Sequence, residues 1–210
     1  MLLKHFEISK RMWSYHSANE YRGFDPEAVF RDHKKVALVT ENGTPGISDP
    51  GQMIVSFCHE HKIRVTPIPG ASAGVACLSA AGFSGKTHLF FGFLPNKKSK
   101  RKNILYNLLD AEKKVIIFYE SPYRLIHTLQ LLAEKNPVLP VVVGREMTKY
   151  YEEIHRKNAK EMLEYYDNQA VKGEVVLIVD NRNAAEEDSA VNFESPDDDN
   201  DPKERVHDDQ

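Results

Sequence analysis

Short runs of β-branched and aromatic residues alternate along this chain with segments whose apolar positions recur every three to four residues. Strand-like and helix-like patterns in that order are expected of an α/β protein with largely parallel pairing, because each helix carries the chain back across the sheet before the next strand. Residues 36–40 (VALVT) read as a buried strand and residues 63–67 as the next one. Between them, Asp49 and Pro50 supply an N-cap and a first helical position for a helix running to about His61. Pro69-Gly70-Ala71-Ser72 turns into a small-residue helix that ends near Gly82. Residues 89–93 open a second unit, which puts a domain boundary at residues 84–86. That unit continues with a basic-headed helix (98–110), a strand (115–119) and a helix capped by Ser121 with Pro122 behind it. Strands at 141–145 and about 150–155, a short helix from Ala159 and a last strand at 174–179 complete the body. The uninterrupted Val/Ile/Leu run of that last strand predicts burial on both faces. Residues 1–20 read only as a short helix and an extended stretch, so the first strand comes late for a doubly wound domain.

Composition adds few constraints and one correction. With 210 residues, 41% hydrophobic and 28% charged, the chain can bury the core of one large or two small domains. It has neither a run near the ~18 apolar residues of a membrane span nor the basic-then-apolar order of a signal peptide, so a cytoplasmic protein with no membrane partner is expected. The net charge of −3 hides an asymmetry: residues 181–210 hold eleven acidic against three basic residues, leaving 25 basic against 20 acidic in the rest. The body is therefore compatible with a polyanionic partner. The acidic tail is expected to be disordered, acting either as a solubilising tail or as a mimic of nucleic-acid charge. Cys58 and Cys77 sit in apolar stretches and read as buried free thiols. His59-Glu60-His61 has no third ligand close in sequence, and no metal is expected.

Four segments carry candidate chemistry. VALVTENGTPGISDPG sets Gly43, Gly46, Pro45 and Pro50 between a strand and a helix start, and its exposed N–H groups and hydroxyls suit either a nucleotide-like ligand or a plain turn. PIPGASA has the same placement, so both loops would share one crevice. In FYESPYRL, Tyr119 and Glu120 end a strand, and the segment reads as a third loop on that crevice or as a helix cap. Lys97, Lys98, Lys100, Arg101 and Lys102 crowd a helix start, where the macrodipole disfavours cations, and read as phosphate contacts or as a solvated turn.

These segments, with GFLP, GREMTKYYEE and KGEVVLIV, resemble in order and approximate spacing the ribosomal RNA small-subunit methyltransferase I family of the tetrapyrrole methylase superfamily. The similarity extends from Leu2 to about Val179. It implies two α/β domains clasping S-adenosylmethionine, 2′-O-methylation of a cytidine ribose in small-subunit ribosomal RNA, and a homodimer. By motif, Gly43, Thr44, Pro45 and Ile47, then Ser72 and Ala73, and Tyr119 from the second domain, would touch the cofactor. The family's opening strand with its TPIGN-like loop, and an EDTR-like segment after it, are not found. The expected organisation is a partial N-terminal α/β domain (1–84), a C-terminal α/β domain (85–180) and the tail (181–210). Glu41-Asn42 stands where the family has Asp-Ala, and Tyr123 where it has His.

Methyl transfer from a sulfonium requires alignment of the acceptor oxygen and removal of its proton. Glu146 and Lys149 in GREMTK are the candidates for base or for lowering the hydroxyl pKa, with Arg145 on a phosphate; the three also read as a structural ion pair. Two other readings stay open. One is a methylase of a small tetrapyrrole-like substrate, and the other a catalytically impaired remnant that binds RNA or a partner.

Overall fold

A computed structural model of the protein describes residues 2–17, 19–20, 23–83 and 86–182. The expected tail from residue 183 onward, and residues 84 and 85 at the expected domain boundary, lie outside the described residues.

The protein is mixed α/β, and the five strands among the described residues all come from the second part of the chain: β1 His88–Phe93, β2 Val115–Glu120, β3 Pro140–Arg145, β4 Glu153–Asn158 and β5 Val175–Asp180. They form one sheet in the order β1-β2-β5-β3-β4. Only β1 and β2 run parallel, joined by the crossover helix α5 (Lys98–Ala111). The β2–β5, β5–β3 and β3–β4 pairs are antiparallel, which corrects the expectation of a largely parallel sheet. For β3 and β4 the reason is local, since the tight turns at 146–152 reverse the chain directly from one into the other; β5 then enters from the opposite end and inserts between the distant β2 and β3. Those turns also start β4 at Glu153, three residues later than the pattern at 150–155 indicates.

Both faces of the sheet are covered, and the alternation of side chains along the strands sorts two cores. Ile116, Phe118, Val141, Val143, Leu177 and Val179 face α5, α6 (Pro122–Lys135) and α7 (Ala159–Asp167), meeting Leu105, Leu109, Leu125, Leu129, Met162 and Tyr166. Val115, Ile117, Val142, Val176 and Ile178 face the opposite way, onto Cys77, Leu78, Ala81 and Phe83. Three of those four belong to α4 (Ala73–Ala81), the small-residue helix preceding the expected boundary. Gly144 lets α4 approach, since a Cβ there would come within 2.7 Å of Cys77 Sγ. Coverage on both sides is why β5 is buried at every position, as its apolar run predicts.

The first part of the chain departs most from expectation. It forms α1 (Leu2–His5), α2 (Pro26–Asp32), α3 (Gln52–Glu60) and α4, and contains no strand among the described residues. Residues 36–40 and 63–67 pair with no other strand, and a strand exists only as part of a ladder. Nor are they buried, with Val39 at 67% exposure and Val65 at 36%. Asp49 does not cap α3 either. The N-cap is Gly51, and Glu20, buried in the N-terminal arm, accepts hydrogen bonds from the backbone N–H groups of Gly51 (2.9 Å) and Met53 (3.2 Å) and from the Tyr15 hydroxyl (3.0 Å). Among the described residues no helix is long and apolar enough to cross a membrane.

Candidate active site

Three loops meet, as their placement after strand-like runs implies. The Thr44 hydroxyl donates to the carbonyl of Ala71 (3.1 Å), which fastens the first glycine loop to the second. The Tyr119 hydroxyl accepts from the N–H of Gly74 (3.3 Å), joining the end of β2 to the first turn of α4. Asn42 Nδ2 donates to Glu174 Oε1 (3.1 Å), joining the first loop to the start of β5. These ties enclose a cleft of about 800 Å³. Gly43, Thr44, Ile47, Ser72, Ala73 and Tyr119 line it, while Pro45 does not. Tyr119 is held edge-on by Phe90 and Phe93, with ring centroids 5.1 and 5.7 Å away, and Phe93 also lines the cleft.

The cleft has acidic groups that sequence reading missed. Glu41, Asp49 and Glu174 all line it. Burial, followed by the nearby charges of Glu174 and Glu41, raises the pKa of Asp49. Tyr15, His16 and Ser17 of the arm complete one wall. No periodicity or turn signal in the sequence marks them, and Glu174 reads only as a strand start. Glu120 lines the cleft too, but its buried carboxylate is engaged by the Thr128 hydroxyl (2.7 Å), the N–H of Ser121 (2.8 Å) and Arg124 Nη2 (2.8 Å).

Glu146 and Lys149 stand just outside the lining. Lys149 Nζ bridges Glu146 Oε1 (3.0 Å) and Glu174 Oε2 (2.9 Å), so it reaches the cleft through Glu174. Glu146 also accepts from the N–H of Glu174 (2.9 Å). That hydrogen bond first, then Lys149, lowers the Glu146 pKa, while Glu174 and Glu146 raise that of Lys149. A carboxylate so stabilised is a weak base, and a lysine so held is an ammonium. Arg145 pairs with Glu153 (2.5 Å) and donates to the carbonyl of Lys172 (3.1 Å), which ties it into the sheet edge.

The basic run divides in two. Lys97, Lys98 and Lys100 are exposed and have no ion-pair partner among the described residues. Lys102 pairs with Glu134 (2.8 Å) and lies over the Tyr106 ring. Arg101 is 2% exposed, and its guanidinium is spent on the carbonyls of Pro95 (3.1 Å) and Asn96 (3.0 Å) and on His127 Nδ1 (3.2 Å). Burial therefore removes Arg101 from the set available to phosphates.

A profile of the family described as Tetrapyrrole (Corrin/Porphyrin) Methylases matches residues 9–163. The chain belongs to the tetrapyrrole methylase family. Within it, a protein named ribosomal RNA small subunit methyltransferase I from Escherichia coli O157:H7 is 40% identical over 192 residues, covering 90% of this chain and 67% of that protein. A protein of the same name from a Synechocystis strain is 39% identical, covering 85% of this chain and 64% of its own length. This tetrapyrrole methylase thus spans about two thirds of the length of these relatives. The solved structure of the methyltransferase CobJ gives a TM-score of 0.49 at 19% identity, covering 68% of this chain and 62% of that one.

Proposed function

We propose that this chain binds S-adenosylmethionine in the cleft and methylates the 2′-hydroxyl of a cytidine ribose in small-subunit ribosomal RNA. The observation that carries the reading is the cleft itself, in which six of the seven residues expected at the cofactor lie together. Its lining suits the ligand. Glu41, Asp49 and Glu174 offer negative charge to a sulfonium and an ammonium, and a cation there would relieve the repulsion that Asp49 feels. The backbone of Ser72 and Ala73 at the head of α4 offers donors to a carboxylate, and Tyr119 and Phe93 offer aromatic surface to a base.

When bound, the cofactor supplies a methyl group already activated on positive sulfur. The chain has to bring the ribose oxygen into line, and the hydroxyl proton passes to solvent water as the O–CH3 bond forms and the S–CH3 bond breaks. In this reading Lys149 provides positive charge at the mouth that favours the oxyanion, and Glu146 fixes Lys149 against Glu174. The relatives' names point to RNA, and the exposed lysines favour it over a small macrocycle, which needs no extended basic surface. The reading includes a cytoplasmic homodimer that needs no metal; light scattering tests the oligomeric state.

Calorimetric titration of the folded chain with S-adenosylmethionine tests the cofactor assignment, with saturable binding expected at one site per chain. Labelled methyl transfer to small ribosomal subunits then tests the substrate. Absence of binding by a folded chain overturns the proposal, and binding without transfer favours the impaired RNA-binding reading.

A further inference from the structure

One exposed aromatic side chain beside the cleft is not used by the chemistry above. Tyr123 is 94% exposed in the first turn of α6, directly after Ser121 and Pro122, which line the cleft. Among the described residues it has no hydrogen bond or ring contact. Its support is nonetheless rigid. Arg124, the next residue, donates through Nη1 to the carbonyl of Leu94 (3.2 Å) and to Asn96 Oδ1 (2.5 Å), and pairs through Nη2 with buried Glu120. The loop leaving β1 and the head of α6 are thereby one body, further pinned where Arg101 holds the carbonyls of Pro95 and Asn96. The same loop runs straight into Lys97, Lys98 and Lys100. The exposed cations, the uncovered ring and two cleft-lining residues are thus carried on neighbouring segments that these hydrogen bonds tie together.

We infer that Tyr123 is a stacking platform for an unpaired base of single-stranded RNA, seated beside the nucleotide whose ribose enters the cleft, while Lys97, Lys98 and Lys100 hold the adjoining phosphates. The inference rests on the RNA reading proposed above. Positive charge complements the phosphate backbone without reading sequence, and an exposed ring accepts the face of any base. A base within a duplex has both faces covered by its neighbours, so the platform selects single-stranded or extruded nucleotides.

The test is fluorescence anisotropy of a labelled oligouridine of about a dozen nucleotides, a length matched to single-strand binding sites, titrated with the full chain. Y123A is expected to weaken binding by about five-fold or more, with an unchanged slope of log affinity against log salt, whereas Y123F keeps most of the affinity. S-adenosylmethionine affinity serves as the control for folding. Equal binding by wild type and Y123A, or the same loss on a duplex of equal length, overturns the stacking role and leaves the RNA reading standing. If the wild-type chain binds S-adenosylmethionine but no oligouridine, the RNA reading and this inference fall together.

Discussion

At Gly173 and Glu146, two motifs 27 residues apart become one structural unit. Gly173 has φ +86°, and a Cβ on it would fall inside the Glu146 carboxylate, which is turned back to receive the N–H of Glu174 and Lys149 Nζ. Gly173→Ala should therefore destabilise the protein by about 2 kcal/mol, from backbone strain plus displacement of that carboxylate. Glu146→Ala should cost about 1–2 kcal/mol by leaving the Glu174 N–H and Lys149 short of a partner. Once Glu146 is gone only the backbone strain remains, so the double variant should lose clearly less than the sum of the two in denaturant unfolding. The carboxyl's pKa is lower folded than unfolded, so its contribution is present above the unfolded value and is lost as pH falls through the folded one. The non-additivity should shrink in acid accordingly. Along the chain, Gly173 is a turn and Glu146 a candidate base; their meeting depends on β3 and β5 lying side by side, which no local pattern reveals.

At the level of elements, the head of α5 separates exposed charge from structural charge. Arg101, Leu105 and Leu109 recur every four residues and are the buried stripe of that helix, so the arginine's burial is written in the helical period once the register is known. Replacing Lys97, Lys98 and Lys100 together by Gln should leave the melting temperature nearly unchanged. It should also flatten the salt dependence of RNA binding, by roughly 0.7 in the log–log slope for each phosphate no longer neutralised. Arg101→Gln should do the reverse, costing about 2 kcal/mol by uncapping the carbonyls of Pro95 and Asn96 while leaving the salt slope alone. Thermal unfolding and a salt series of RNA titrations together separate the two behaviours. In the first part of the chain local pattern is a poorer guide. The apolar runs at 36–40 and 63–67 have strand composition, yet composition cannot supply the ladder partner that makes a strand.

For the whole molecule, the cleft joins groups from the arm, both glycine loops and the ends of β2 and β5, and its electrostatics belong to that assembly. Asp49 is the sensitive reporter. A cationic ligand nearby stabilises its ionised form, so its pKa falls on binding from the raised value of the free protein. S-adenosylmethionine affinity should therefore fall as the pH is lowered from neutrality through that titration, and Asp49→Asn should be weaker at neutral pH and flatter across the same range. Calorimetry over a pH series measures both, and a wild-type profile with no such fall would place the cation away from Asp49. Legible along the chain were the mixed α/β class, every helix except α2 in outline, the two-sided burial of β5 and the loops that line the cleft, because period, turn residues and motif order are local properties. The antiparallel pairing of β5, the unpaired state of 36–40 and 63–67 and the acidic wall of the cleft came only with the folded arrangement. Each of those depends on which distant segment arrives as a neighbour.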